Sequence, residues 1–351
     1  MDAVGFLEGL LSIPSPSGAE DAVAAHLVEE MAQLGFDSHL DKTGNAVGTI
    51  GDPVAQHTIV LLGHMDTVDG VIPVHRAGRL LFGRGAVDAK GPLAAFTLAA
   101  ARVAPQMENT KLVVIGAVEE ESHGRGARHL AEHLPAPDYA IIGEPSDWQG
   151  VTLGYKGMLS FRYQLLQPGG HSAGEFPGPA EKAVALWNRL VERAAAHNDG
   201  QSGRFQTLDP ALREFRTFGD GLYDGVEMHI GLRLPQGVNA GHLEQEIRGW
   251  CNGAKLEFYP SDPPFLAEKN TPLVRAMLRA IRTQGGRPRF KVKTGTADMN
   301  IVGPAWGCPI VAYGPGDSAF DHTPDERIDV DEYLQAIDVL TTALHILDTN
   351  P

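Results

Sequence analysis

The patterning of the chain predicts an α/β fold with a largely parallel sheet and flanking helices, into which a smaller α+β module is inserted. Two observations carry that prediction. Short, wholly apolar runs recur with helical stretches between them, as strands buried on both faces do: "TIVLL" (58–62), "KLVVIGAV" (111–118), "YAIIG" (139–143) and "PIVAYG" (309–314). The middle third instead alternates apolar and polar residues in "GMLSFRYQLLQ" and "VEMHIGLRLP", the habit of half-exposed antiparallel strands. With 351 residues and 43% hydrophobic content, the chain can bury one large core or two ordinary ones.

Taken in order, "MDAVGFLEGLLSIPSPSGAE" reads as an amphipathic helix that ends before Pro14; it has acids and no basic n-region, so nothing marks it for export. After Asp88, "AKGPLAAFTLAAARVA" places Pro92 near a helix start and follows it with Ala and Leu, giving a crossover helix between the first two buried strands. The middle module adds helices at about 179–197 and 240–251, and "AKLEFYP" offers a third strand. The first kind of patterning resumes at "NTPLVRAMLRAI" and closes in the amphipathic "VDEYLQAIDVLTTALHIL". A catalytic domain is therefore expected in two parts, 1–156 and 266–351, around an insertion at 157–265.

Lys+Arg 29 against Asp+Glu 44 leaves a net charge of −15, which argues against nucleic-acid or anionic-membrane surfaces. Charged residues interrupt every window near the roughly 18 apolar residues of a transmembrane helix. Cys251 and Cys308 form no C-x-x-C pattern, so neither a disulfide framework nor a thiolate zinc site is indicated, and a reducing cytoplasm fits best.

Each buried strand runs into a potential metal ligand or acid: "LLGHMD" into His64 and Asp66, "GAVEEES" into Glu119, Glu120 and Glu121, "IIGEPS" into Glu144, while His322 in "DHTPDE" follows the last strand. In an open parallel sheet, sites form outside the carboxyl ends of the strands. A lone His or Glu there is ordinarily a solvated loop residue, whereas a set of imidazoles and carboxylates without thiolates suits zinc, cobalt or manganese in a hydrolytic site. Asp88, on a turn before the crossover helix, is the natural bridge between two ions, although an Asp there also suits a plain N-cap. Asp66, on the same side of an extended chain as His64, is placed to accept from the imidazole's other N–H. Successive strand side chains point to opposite faces, so the three glutamates cannot all enter one site, and a turn at the strand end brings in two, one to bind metal and one to act as general base.

These residues sit in motifs that resemble the co-catalytic zinc deacylase and peptidase family that includes acetylornithine deacetylase, succinyl-diaminopimelate desuccinylase and glutamate carboxypeptidase: "GHMDTV", "GRGAVDAKG", "EEESHGRGARHL", "GEPS", "GGHSA", "GLRLPQGVNA" and "DHTPDE", in that order over nearly the whole chain. The resemblance implies a zinc-peptidase-like fold with a ferredoxin-like lid and dimerisation domain as the insertion. It implies two divalent ions, zinc or cobalt, on His64, Asp88, Glu121, Glu144 and His322, with Asp88 bridging, Asp66 orienting and Glu120 as general base. Glu119 takes the position the family usually gives to Asp. In the lid, His171 resembles the residue that reaches a reacting carbonyl oxygen, often in the partner subunit's site, and Arg233 and Asn239 match positions that hold substrate.

"YKGMLSF", "KTGTADMNIV" and the stretch after "GHMDTV" are most similar to hydrolases that free lysine or ornithine from the terminal γ-glutamyl group of an amino-group carrier protein. That resemblance implies a cytoplasmic homodimer in lysine or arginine biosynthesis; a deacetylase of N-acetyl-ornithine or N-acetyl-lysine, or a dipeptidase, would use the same site. The carriers are small and acidic, so docking on so acidic a chain needs a local basic face, for which Arg189, Arg193, Arg204, Arg213 and Arg216 are candidates.

Overall fold

In a computed structural model of the protein, residues 2–52, 54–171 and 176–349 are described. Contacts divide the chain into one unit of Met1–Gly154, Ala267–Val292 and Ala297–Pro351, and another of Tyr155–Leu266 with Lys293–Thr296.

The first unit is built on a sheet whose centre is the four apolar runs. His57–His64 pairs in parallel with Thr110–Ala117 on one side and Tyr139–Gly143 on the other, and Ile310–Tyr313 extends the parallel set beyond Tyr139–Gly143. The outer strands depart from the expected largely parallel sheet. Asp37–Leu40 and Ala46–Gly51 form a hairpin that joins Thr110–Ala117 antiparallel, and Gly150–Tyr155 lies antiparallel to Ile310–Tyr313. The connection between the hairpin strands is too short for a crossover, which parallel pairing would require.

Both faces of the central strands are covered. Ile59, Leu61, Leu112, Val114, Ile141 and Val311 belong to the core packed under the helices Ala3–Leu11, Asp21–Gln33, Lys90–Val103, Pro272–Thr283 and Val330–Thr349. The alternate residues Val60, Leu62, Ile115 and Ile142 are equally buried on the opposite side. Each such aliphatic side chain contributes about 1.5–3 kcal/mol of burial free energy, so the strand ends are held on a rigid platform.

The crossover helix Lys90–Val103 is nearly all buried, which explains its run of alanines. It starts under a tight constraint: a Cβ on Gly91 would lie 2.2 Å from the Ala86 carbonyl oxygen, so only glycine lets the helix begin against the loop that carries Asp88. Lys90, buried beside it, donates from Nζ to the Leu10 and Ile13 carbonyls at 3.1 and 2.7 Å, binding the carbonyl end of the first helix.

The second unit carries a four-stranded antiparallel sheet in the order Asp209–Gly219, Tyr223–Leu234, Gly157–Pro168, Lys255–Phe258. Helices Pro179–Asn198 and Ala240–Trp250 pack on one face through Leu186, Leu190, Leu243 and Ile247, against Phe161, Met228 and Ile230. Two features escape sequence patterning. The edge strand Asp209–Gly219 has its alternation broken by a bulge between Leu212 and Glu214, and exposure along it removes the apolar stripe by which strands are recognised. The return of Lys293–Thr296 to this unit, from a stretch expected in the catalytic domain, is too short to show a period.

Candidate metal centre

In the parallel strands the pairs Gly63↔Gly116, Gly63↔Gly143 and Tyr313↔Gly143 are in register, so all four carboxyl ends reach the same edge of the sheet. The residues that sequence singles out lie at these ends or in the loops that follow them. His64 is wholly buried, and its Nε2 lies 3.2 Å from Oδ1 of Asp88. The other oxygen of Asp88, Oδ2, lies 3.1 Å from Nε2 of His322, which is also 2.8 Å from Oε1 of Glu121. One carboxylate thus turns an oxygen toward each of two imidazoles. Ligand atoms of His64, Asp88 and Glu121 all fall within 4.8 Å of one another, a spacing that suits a metal ion. Glu144, directly after Tyr139–Gly143, is buried.

Asp66 is placed differently from expectation. The ring Nδ1 of His64 meets the main-chain oxygen of Asp66 at 3.0 Å, and the Asp66 carboxylate stands off at 3.5 Å. That carboxylate is engaged elsewhere: Oδ1 accepts from the Glu120 N–H at 3.0 Å, while Oδ2 accepts from the Glu121 N–H at 3.0 Å and the Ser17 hydroxyl at 2.7 Å. Asp66 therefore anchors the glutamate turn through both carboxylate oxygens. Ser17 carries no signal in the sequence.

The glutamate triplet is resolved by a left-handed residue. Glu119, two residues past the strand Thr110–Ala117, has φ 58, which swings the next two residues over Asp66, while its own carboxylate takes a 2.7 Å hydrogen bond from Nε of Arg125. Gly124 closes the turn at φ +61, its open side filled by Ile301. His322 is also left-handed, at φ 61, a backbone cost typical of sites where geometry is held by its surroundings.

The electrostatics are those of a cation site. Burial pushes the Glu120 carboxyl well above its ordinary range, with Glu144, Glu121 and Asp298 adding like charge. Burial likewise raises Glu121. Burial acts to lower the His64 imidazole, yet the negative charge of the nearby Asp66, Asp88 and Glu120 carboxylates outweighs it and holds the group well above the usual value. His322 is pushed up to about 10 by Asp88 and Glu121. Buried carboxylates gathered with two imidazoles, and no thiolate, make a donor set that fits divalent cations.

Residues 60–345 match "Peptidase family M20/M25/M40". The chain belongs to this family. Among curated M20-type relatives, the protein named "[LysW]-lysine hydrolase" of Deinococcus radiodurans is 45% identical over 95% of this chain and 94% of its own length. A "Putative [LysW]-lysine/[LysW]-ornithine hydrolase" of Thermococcus kodakarensis is 41% identical over 99% of this chain and 92% of its own. The fold matches that of the M20 metallo-carboxypeptidase Sso-CP2 from Sulfolobus solfataricus, with TM-score 0.82 at 18% identity over 99% of this chain and 100% of that one. It also matches the yeast dipeptidase Dug1p, with TM-score 0.81 at 14% identity over 99% and 96% of the two chains. The protein is accordingly a metal-binding amide hydrolase of M20 type.

The remaining site residues lie in the second unit. His171 is exposed, and the Ser172 and Ala173 of its motif fall outside the described residues. Arg233 donates to the Thr296 hydroxyl at 3.0 Å. Asn239 caps the helix Ala240–Trp250, its Oδ1 accepting from the His242 N–H at 2.9 Å. Of the arginines considered for a basic face, Arg193 pairs with Glu246, Arg216 pairs with Glu227 and Arg189 covers Trp250, so their charge is partly answered within the unit.

Proposed function

We propose that this M20 hydrolase splits the amide between the γ-glutamyl C-terminus of an amino-group carrier protein and the α-amino group of lysine or ornithine, in lysine or arginine biosynthesis. The substrate reading is carried by full-length relatives bearing that activity in their names, and the chemistry by the divided orientation of Asp88.

His64, Asp88, Glu121, Glu144 and His322 would hold two divalent ions, zinc or cobalt, with Asp88 shared; when bound, the ions polarise the scissile carbonyl and acidify the attacking water. Glu120 takes the proton from that water and delivers it to the departing α-amino nitrogen, so the carrier regains a free γ-carboxyl and the amino acid leaves intact. Asp66 holds the turn on which Glu120 stands.

The segment around Tyr155–Leu266 serves as lid and dimerisation domain. Its edge strand Asp209–Gly219 leaves Leu212, Phe215 and Phe218 exposed, a surface on which a second copy can pair strand to strand in a homodimer. His171 polarises the reacting carbonyl, acting in the partner subunit's site, while Arg233 and Asn239 bind substrate. Two separated, unbridged cysteines favour the cytoplasm, and no helix among the described residues is long and apolar enough to cross a membrane.

The deciding experiment incubates zinc- or cobalt-loaded protein separately with carrier-γ-glutamyl-lysine, carrier-γ-glutamyl-ornithine and N-acetyl-ornithine, with Glu120→Gln as the control. Free amino acid released from the carrier is expected. Preferential release from the acetylated amino acid would keep the chemistry and replace the substrate.

A further inference from the structure

The loop that presents Asp88 is held by a carboxylate to which neither the sequence motifs nor the proposed chemistry gives a role. Glu326, only 1% exposed, accepts through Oε1 from the Val87 N–H at 3.0 Å and the Asp88 N–H at 3.1 Å. Its Oε2 takes a 2.8 Å bond from Arg84, whose guanidinium also donates to the carbonyls of Gly70 at 3.0 Å and Thr323 at 3.2 Å. Glu326 stands four residues after His322 in "DHTPDE", and Thr323 directly follows His322. The network therefore joins the two loops that bring Asp88 and His322 within 3.1 Å of each other.

The arrangement parallels that of Asp66, which accepts from the consecutive amides of Glu120 and Glu121. Two buried carboxylates thus each seize a pair of successive N–H groups, one beneath the glutamate turn and one beneath the Asp88 loop. Charge-assisted bonds of this kind are roughly twice as strong as neutral ones, and within a buried site they fix backbone that would otherwise follow the pull of whatever binds the side chain. Only the Asp66 pair lies in an expected site residue. The Glu326 side chain bonds to Arg84 and to the Val87 and Asp88 amides, so its effect on the candidate ligands passes through main chain.

We infer that Glu326, locked by Arg84, is a positioning residue that sets the spacing of Asp88 and His322 and thereby the affinity for the ion these two share with Glu121. The inference rests on the dinuclear reading of the site, and the two can fail separately.

The test titrates zinc into metal-free wild type, Glu326→Ala and Glu326→Gln by calorimetry, and records the visible spectrum of each protein loaded with cobalt. Wild type is expected to bind two ions; a single ion there would refute the dinuclear reading, whatever the variants do. Given two, Glu326→Ala is expected to lose about 10–100-fold in affinity for one ion only, with a changed cobalt spectrum, as partners of metal ligands commonly do. Glu326→Gln keeps an acceptor oxygen for the two amides and loses the ion pair, so it should recover part of that affinity. Wild-type affinities and spectrum in Glu326→Ala, or equal weakening of both ions with an unchanged spectrum, would overturn the assignment. If Glu326→Ala does not fold, Glu326→Gln decides alone: unaltered affinities and spectrum reject the inference, and selective weakening of one ion upholds it.

Discussion

Glu120 and Glu121 are adjacent in the chain and share an anchor in Asp66, yet they are assigned unlike duties. Glu120→Gln is expected to retain metal and lose roughly 10²–10⁴-fold in kcat, the usual weight of a general base. Glu121→Gln should lose metal first, as read by metal analysis of the purified protein; near-normal kcat in Glu120→Gln would remove it from the reaction. The triplet shows how far residue patterning reaches. That the triplet follows a buried strand was legible, but which of its members turn over Asp66 depends on one left-handed residue, Glu119, whose conformation no short motif specifies. The two cysteines give a pH prediction free of the metal site. Burial pushes both Cys251 and Cys308 up to about 11, so the protonated thiol persists through neutral pH. Because the thiolate is the nucleophile, alkylation at pH 8 should run roughly 10²-fold slower than for an unperturbed thiol and climb about tenfold per pH unit towards pH 10. A fast, pH-independent reaction at pH 8 would show the thiols to be exposed.

The loops and helix starts beyond the strands decide whether ligands meet. Gly91 opens the crossover helix where a Cβ would strike the Ala86 carbonyl oxygen, three residues from Asp88 in the chain. Gly91→Ala must push that loop or the helix, and is expected to cost about 1–3 kcal/mol in urea unfolding, as overpacking does, together with weaker metal binding. Unchanged stability and metal content would mean that the loop yields freely. The crossover helix itself was readable from Pro92 and the alanine run. The hydrogen-bonded brace beneath Asp88 was not, because Arg84 and Glu326 lie far apart in sequence and form one network only after folding.

For the assembled molecule, the edge strand Asp209–Gly219 supplies the testable surface. Leu212→Lys with Phe215→Lys places charge on that edge, and light scattering is expected to report dimers for the parent protein and monomers for this variant. Persisting dimers would move the interface elsewhere. If His171 works across the dimer, mixing His171→Ala with Glu120→Gln subunits restores part of the activity, since one of the two sites in each mixed pair regains both groups; verified mixed dimers without activity would confine His171 to its own subunit.

Apolar strands buried on both faces, each followed by a histidine or carboxylate, were enough to announce an α/β hydrolase with a metal centre, because periodicity and ligand chemistry are both written locally. The direction of the outer strands was not, since it follows from connection length and pairing rather than composition. Nor could local patterning divide the two oxygens of Asp88 between His64 and His322, or place Asp66 under two glutamate amides. Those relations join residues up to hundreds of positions apart, and only the packed core brings their loops to one edge of the sheet and holds them there.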